Sequence, residues 1–166
     1  QAQCDLFNLP FRSGTFDRVF SIGVLHHTPD TRKAFEAIVD YVKKDGALSI
    51  WVYSSINTGK KTANVWRKVT IYLPHSILFT WCVLNQVCFS GIRCLPGGDT
   101  FSLIVPGASP RRDGTFMQRV LCDFDNFSPK YAHSHEEKEV RAWFDTAGFK
   151  DVRALSQFTS MIGRRT

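Results

Sequence analysis

Two apolar runs with an amphipathic segment between them dominate the first third of the chain. Residues 16–24 and residues 47–53 are rich in β-branched and aromatic side chains, which is typical of strands buried on both faces in parallel sheets. Strand, helix and strand within about 40 residues predict a βαβ unit with a right-handed connection. The intervening apolar residues recur at helical spacing and predict one buried helix face: Ala34, Phe35, Ile38, Val39 and Val42.

The ends of this first helix are also predicted. Thr28 can cap its start, with Pro29 at the first helical position, where a missing N–H costs nothing. Lys43 and Lys44 suit the negative end of the helix dipole, and Gly46 is expected to end the helix.

A second helix and a strand pair are predicted near the end of the chain. Ser134 and Glu137 have the spacing of a capping box, and Gly148 is placed as a left-handed stop. Residues 149–155 and 158–163 then predict two strands that pair antiparallel. The apolar stripe of this helix consists of Val140, Trp143, Phe144 and Ala147.

The middle of the chain has a distinct composition. The net charge of the whole chain is +6, which favours anionic partners without identifying one. Basic residues far outnumber acidic ones in the middle of the chain. On this basis we divide the chain into residues 1–53 (a core), 54–125 (a helical and loop cap insert) and 126–166 (the final helix and strand pair). Between Ser54 and Arg112 the charged residues are Lys60, Lys61, Arg67, Lys68, Arg93, Arg111 and Arg112 against one acid, Asp99.

Residues 71–92 form the most apolar part of this insert. Their length is close to the roughly 20 residues of a membrane span, but Pro74, His75 and the pair Asn85-Gln86 interrupt the run. A buried or interfacial helical cap is therefore expected rather than a spanning helix. The five cysteines are odd in number and form no CxxC pair, so neither a disulfide framework nor a structural zinc site is expected.

Asp5 and Gly23 are candidates for ligand contacts. Asp5 follows a predicted strand end, and ligands of doubly wound sheets bind outside the carboxyl ends of the strands. The alternative is a carboxylate that caps a turn before Asn8. Gly23 permits close approach of a ligand to the backbone, or else it serves only a bend or bulge.

Four histidines near predicted strand and helix ends add further candidates. His26 and His27 are neighbours, and neighbours on an extended backbone point to opposite faces, so this pair is not expected to bind one metal ion. One of them is expected near a ligand while the other supports the loop, and a base role stays open. His133 and His135 alternate, but no third metal ligand is visible and His135 is expected as the first helical residue.

Residues 5–53 resemble the second half of the cofactor-binding core of class I S-adenosylmethionine (SAM)-dependent methyltransferases, in the type-11 or ubiquinone/menaquinone-like branch, and residues 131–165 resemble its end less specifically. The resemblance rests on Asp5-Leu6, residues 21–27 (Ser-Ile-Gly-Val-Leu-His-His) and residues 43–46, which are Lys-Lys-Asp-Gly where the family commonly has Lys-Pro-Gly-Gly. It implies an α/β, Rossmann-like doubly wound sheet with an inserted helical cap. In the family's strand order 3-2-1-4-5-7-6, this chain would hold the block 4-5-7-6.

The resemblance also implies roles for individual residues. Asp5 and Leu6 would hold the adenine of SAM, and the backbone from Ser21 to Gly23 would lie beside its methionine part. The residues implied in cofactor binding are Asp5, Leu6, Ser21, Ile22, Gly23 and His26. The residues expected to contact the substrate are His27, Tyr53, Tyr131 and His133, for which surface and helix-cap roles are the alternative. Catalytic residues stay unknown, and no metal is expected.

The glycine-rich loop of the family is not found in these residues, and the chain does not begin with Met. We therefore expect a piece of a longer reading frame that does not bind SAM by itself. An open edge on the first strand is expected to make it poorly soluble.

The predicted function is SAM-dependent methyl transfer to a small, lipid-like or anionic acceptor. The alternative is a catalytically idle methyltransferase-like module that binds a ligand or a membrane. A short-chain dehydrogenase is disfavoured, because none of the four Tyr is followed by Lys at the fourth position. Expected partners are a small-molecule substrate and a membrane surface contacted peripherally through residues 60–92, with no nucleic acid. The expected location is cytoplasmic or membrane-peripheral.

Overall fold

The computed structural model describes residues 3–56, 58–92, 114–156 and 159–166. They form two compact units, one from Gln1–Ile56 with Tyr131–Thr166 and the other from Asn57–Lys130. The elements in chain order are β1 (Phe16–Ile22), a 3₁₀ turn (Leu25–His27), α1 (Thr31–Val39), β2 (Val42–Trp51), β3 (Tyr53–Ser54), α2 (Thr58–Thr70), α3 (His75–Ile92), α4 (Phe116–Phe127), β4 (Ser134–His135), α5 (Glu137–Thr146), β5 (Phe149–Ala154) and β6 (Ser160–Arg165).

The first unit contains a mixed four-stranded sheet in the order β1-β2-β6-β5. β1 and β2 are parallel and are connected through α1, whereas β6 runs antiparallel to both of its neighbours. This order corresponds to the expected block 4-5-7-6, so the α/β class and the Rossmann-like strand order are confirmed. The antiparallel pair at the end of the chain is also confirmed, although residue 158 lies outside the described residues.

The core of the first unit lies on one face of this sheet. The ring of Phe35 from α1 packs against Trp143 and Phe144 of α5, with ring centroids 5.9 and 5.0 Å apart. These rings share one buried cluster with Leu48 of β2 and Met161 of β6. Each fully buried side chain of this kind contributes roughly 1.5–3 kcal/mol, so this layer fixes the sheet against both helices.

The prediction that β1 is buried on both faces is wrong. Phe20 and Ile22 are 74% and 64% exposed, whereas Val19 packs against the core. β1 is an edge strand, and α1 and α5 pack on one side of the sheet. Because successive side chains of a strand point to opposite faces, every second residue of β1 is left facing outwards.

α1 begins later than predicted. Its N-cap is Asp30, whose carboxylate accepts a hydrogen bond from the backbone N–H of Lys33 at 3.0 Å. Thr28 is not the cap, because its hydroxyl donates to the carbonyl of Leu25 at 2.7 Å. The hydroxyl of Thr28 therefore closes the preceding 3₁₀ turn, and the helix starts two residues after Pro29.

α1 also ends earlier than predicted. It stops at Val39, and Val42 instead enters β2 and pairs with Phe16 of β1. Lys43 does not sit at the helix end but pairs with the carboxylate of Asp17 at 2.9 Å. The register between β1 and β2 then shifts, and Asp45, with φ 63°, takes the left-handed conformation there. Strand pairing has replaced the last predicted helical turn.

α5 does not begin with the predicted capping box. Its N-cap is Glu136, which makes no side-chain capping bond, and its first residue is Glu137. Ser134 and His135 form β4 and pair with β3, so His135 is not helical. Gly148 has φ 78° and follows the last turn, as predicted.

Three helices of the described residues, α2, α3 and α4, make up the second unit. Their small core contains Ala63, Leu78, Cys82, Val120 and Phe127. Burial raises the pKa of the Cys82 thiol to about 12, and the charge of Asp123 acts in the same direction. Within the described ranges, no helix combines the length and the apolar character that crossing a membrane requires.

We predict that the outward face of β1 drives self-association, because an edge strand with exposed apolar side chains is a template for pairing. Replacing Phe20→Thr and Ile22→Thr together is expected to reduce the oligomeric fraction in size-exclusion chromatography with light scattering, with little change in melting temperature. Val19→Thr is the control, since Val19 packs against the core: it is expected to destabilise the fold without reducing association. Unchanged association in the double variant would contradict the prediction.

We predict an acid-sensitive cap on α1. The backbone N–H of Lys33 lowers the pKa of Asp30 below its ordinary value of 3.8. A depressed carboxylate pKa stabilises the fold above the unfolded-state pKa, and this contribution is lost as the pH falls through the folded-state value. Asn caps helices without a titrating charge. The melting temperature of wild type relative to Asp30→Asn is therefore expected to fall on acidification from pH 7 to below 3.8.

The variant Asp30→Ala separates the cap from its charge. It lacks any capping oxygen, so at neutral pH it is expected to melt below both wild type and Asp30→Asn. Equal melting temperatures of wild type and Asp30→Ala at neutral pH would show that this cap does not stabilise the fold.

Candidate functional site

The residues predicted to contact a substrate lie together in the first unit. His26 stacks on Tyr53 with ring centroids 3.7 Å apart, and His27 meets the same Tyr53 ring edge-on at 5.4 Å. The rings of Tyr131 and His133 stack at 6.1 Å with an interplanar angle of 14°. We call His26, His27, Tyr53, Tyr131 and His133 the aromatic cluster.

The sheet explains how the first three residues of the aromatic cluster meet. His26 and His27 lie on the 3₁₀ turn that follows β1, and Tyr53 starts β3 just after β2 ends. β1 and β2 are parallel, so their carboxyl ends share one edge of the sheet, where ligands of α/β folds bind.

Two long-range hydrogen bonds bring in the other two residues. The backbone N–H of His133 donates to the carbonyl of His26 at 3.0 Å. Nδ1 of His27 lies 2.8 Å from the carbonyl oxygen of Tyr131. A carbonyl can only accept, so Nδ1 of His27 carries the proton and its Nε2 is the acceptor when the ring is neutral.

The two neighbouring histidines do not point to opposite faces, contrary to the sequence-based expectation. They lie on a 3₁₀ turn rather than on an extended backbone, and their ring centroids are 4.2 Å apart. His26 is fully buried, whereas His27 is half-buried. A search of the described residues finds no group of three or more His, Cys, Asp or Glu side chains that could hold a metal ion.

His133 and His135 present two buried ring nitrogens. Nε2 of each is buried and has no hydrogen-bond partner among the described residues. The ring of His135 is held by Oε1 of Glu139, 3.1 Å from its Nδ1, and by the edge-on ring of Trp143 at 4.9 Å. A buried polar atom without a partner is costly, so a water molecule or another polar group is expected beside each of these nitrogens.

In the structure, Asp5 and Leu6 contact residues outside the aromatic cluster. Oδ1 of Asp5 accepts from the backbone N–H of Phe7 at 3.0 Å, and Oδ2 accepts from the side-chain amide of Asn8 at 2.9 Å. These are the contacts of a turn, and they lower the pKa of Asp5. The carboxylate is exposed and ionised, so it can still accept further hydrogen bonds. Leu6 packs against the core.

Gly23 is required by its surroundings as well as by its backbone. Its φ is 75°, and a Cβ at this position would lie 3.2 Å from Cζ3 of Trp51. Trp51 was not among the predicted site residues, yet its ring lies edge-on to both His26 and Tyr53, at 6.1 and 5.8 Å. Before Gly23, Ser21 pairs with Ile50 in the sheet and Ile22 is mostly exposed. Cofactor contacts of residues 21–23 stay a prediction.

A cavity of about 640 Å³ opens on the sheet, away from the aromatic cluster. Its lining includes four cations, Arg18, Lys44, Arg153 and Arg164. They come from four strands, so no single stretch of sequence predicted their proximity.

The comparisons with known proteins concern the first third of the chain. A family model described as "Methyltransferase domain" matches residues 1–50. Proteins of Bos taurus and Homo sapiens, both described as "Probable tRNA methyltransferase 9B", are each 39% identical to this chain over 54 residues. That alignment covers 31% of this chain and 12% of each relative. Residues 1–50, which include β1, α1 and most of β2, are therefore similar to part of a methyltransferase domain, and the resemblance to class I SAM-dependent methyltransferases is confirmed over that part.

Proposed function

We propose that the protein acts in SAM-dependent methyl transfer. In the aromatic cluster, His27, Tyr53, Tyr131 and His133 would contact the methyl acceptor, and His26 would lie on the cofactor side. The His26-His27 turn lies inside the segment matched by the family model, and two hydrogen bonds join it to Tyr131 and His133. This junction is the observation that carries the proposal. This junction gathers polar ring atoms beside the carboxyl ends of two parallel strands, the edge at which α/β folds bind ligands.

The residues implied in cofactor binding fit this role in their chemistry. Asp5 is an exposed, ionised carboxylate and therefore an acceptor for the exocyclic amine of adenine. Leu6 would provide the neighbouring backbone, and Ser21 to Gly23 would border the methionine part. When bound, SAM supplies an electrophilic methyl group on sulfonium. The chain's own residues then have to orient the acceptor atom and exclude water.

The acceptor that best fits the aromatic cluster is small and carries a polar group. The stacked rings of Tyr131 and His133 offer a flat apolar surface, and Nε2 of His133 offers a hydrogen-bonding atom. A lipid-like or anionic aromatic molecule has this combination. A tRNA acceptor is the second candidate, favoured by the name of the relatives and by the net charge of +6. A catalytically idle binding module is the third.

We predict that residues 1–166 alone do not bind SAM in the micromolar range, because none of the 11 glycines stands in a Gly-x-Gly turn. Isothermal titration calorimetry of this polypeptide is expected to show no heat of binding, whereas the full-length gene product is expected to bind. Micromolar binding by residues 1–166 would show that the glycine-rich turn is dispensable. Absence of binding by both proteins would favour the idle module.

We predict that Tyr131→Phe and His133→Gln in the full-length protein lower kcat/KM for the acceptor about tenfold, equal to about 1.4 kcal/mol of transition-state stabilisation. The affinity for SAM is expected to stay unchanged, since neither residue is implied in cofactor binding. Transfer of a tritiated methyl group to small-molecule extracts, lipid extracts and total tRNA identifies the acceptor class.

His75→Gln is the matched control for His133→Gln, because His75 lies in the other compact unit. It is expected to leave kcat/KM unchanged. If both histidine variants reduce transfer equally while circular dichroism shows folded proteins, the aromatic cluster is not the acceptor site.

A further inference from the structure

α2 buries two polar side chains and exposes several apolar ones. Arg67 and Thr70 are 6% and 4% exposed. Nη1 of Arg67 donates to the carbonyl of Asn126 at 3.2 Å, and the hydroxyl of Thr70 donates to the carbonyl of Phe127 at 2.9 Å. These carbonyls belong to the last turn of α4, where helical partners are lacking. The inward face of α2 thus serves as a polar cap for α4.

The outward face of α2 carries a stripe of large apolar side chains. Val65, Val69 and Tyr72 are 64%, 62% and 81% exposed, and Trp66 beside them is 40% exposed. Val65 and Val69 are one helical turn apart on α2, and Tyr72 follows in the turn after the helix ends at Thr70. We call these four residues the α2 outer face.

The charged residues beside the α2 outer face in the sequence are basic. Lys68 is exposed, directly precedes Val69 and follows Val65 by three residues. The sequence from residue 54 to residue 98 contains no Asp or Glu. An apolar stripe beside a cation is complementary to an anionic surface that has an apolar interior.

We propose that the α2 outer face docks on an anionic lipid bilayer, with the helix lying in the plane of the headgroups. Trp66 and Tyr72 are of the residue types that concentrate at the boundary between headgroups and acyl chains. A helix with few apolar residues binds lipid weakly through burial alone, and the adjoining lysine adds attraction to anionic headgroups. Single-stranded RNA would be attracted by the same lysine but would gain little from two valines. The proposal is independent of the methyl-transfer proposal.

Co-sedimentation of residues 1–166 with lipid vesicles tests the proposal. The polypeptide is expected to bind vesicles of phosphatidylcholine mixed with phosphatidylserine, to bind pure phosphatidylcholine vesicles far less, and to dissociate at high salt. Val65→Ser with Val69→Ser is expected to weaken binding about tenfold through lost apolar burial. Lys68→Ala is expected to weaken it about fivefold, the contribution of one basic residue near an anionic leaflet.

The matched control is Ile77→Ser with Leu84→Ser, because these side chains are 55% and 57% exposed on α3. This variant loses similar apolar area and is expected to bind like wild type. Circular dichroism verifies that all variants are folded. The proposal is overturned if the control loses as much vesicle binding as the α2 variant. It is also overturned if vesicles do not bind while an RNA oligonucleotide binds equally to wild type and to the α2 variant. A third contrary outcome is that the α2 variant dissociates a dimer formed without lipid but binds vesicles as wild type does.

Discussion

The first unit depends on a junction between segments that are about a hundred residues apart in the sequence. Nδ1 of His27 bonds to the carbonyl of Tyr131 across 104 positions, and His133 bonds to His26 beside it. Without these bonds and the short pairing of β3 with β4, the Tyr131–His133 segment would have no fixed place beside the ends of β1 and β2. Loop closure over such a distance is entropically unfavourable, so the packing of Phe35 against Trp143 and Phe144 has to offset it as well.

The fold could be predicted from the sequence where one local pattern sufficed. The apolar runs, the helical stripe and the final strand pair have periods that are read directly along the chain. The C-terminal end of α1 could not be predicted in this way, because Val42 fits the apolar spacing of the helix and also suits a buried strand. Its pairing with Phe16 in β1 decided the outcome. Thr28 and Asp30 are both good caps by residue type, and the bond of Thr28 to Leu25 left Asp30 to cap the helix.

The resemblance implied substrate contacts for His27, Tyr53, Tyr131 and His133, and that role stays a prediction. Their geometry, which links the His26-His27 turn to the Tyr131–His133 segment, could not be predicted from the sequence. Trp51 was missed, because its importance arises from the left-handed backbone of Gly23 that it packs against. His135 was predicted as the first helical residue, since the pairing of β3 with β4 that relocates it involves only two residues on each strand. No pattern two residues long distinguishes a strand from a cap.

The exposure of apolar side chains on α2 reflects a competition between burying its valines and capping the end of α4 with its polar side chains. Turning the helix to bury Val65 and Val69 would gain at most roughly 1.5–3 kcal/mol for each side chain. It would also remove Arg67 and Thr70 from the carbonyls that end α4, and each buried acceptor left unpaired costs about 1–3 kcal/mol. The two sums are comparable, so burial of the valines alone does not decide the orientation. A surface that receives the valines from outside lets both requirements be met at once, because the polar cap on α4 stays in place while the apolar stripe leaves water.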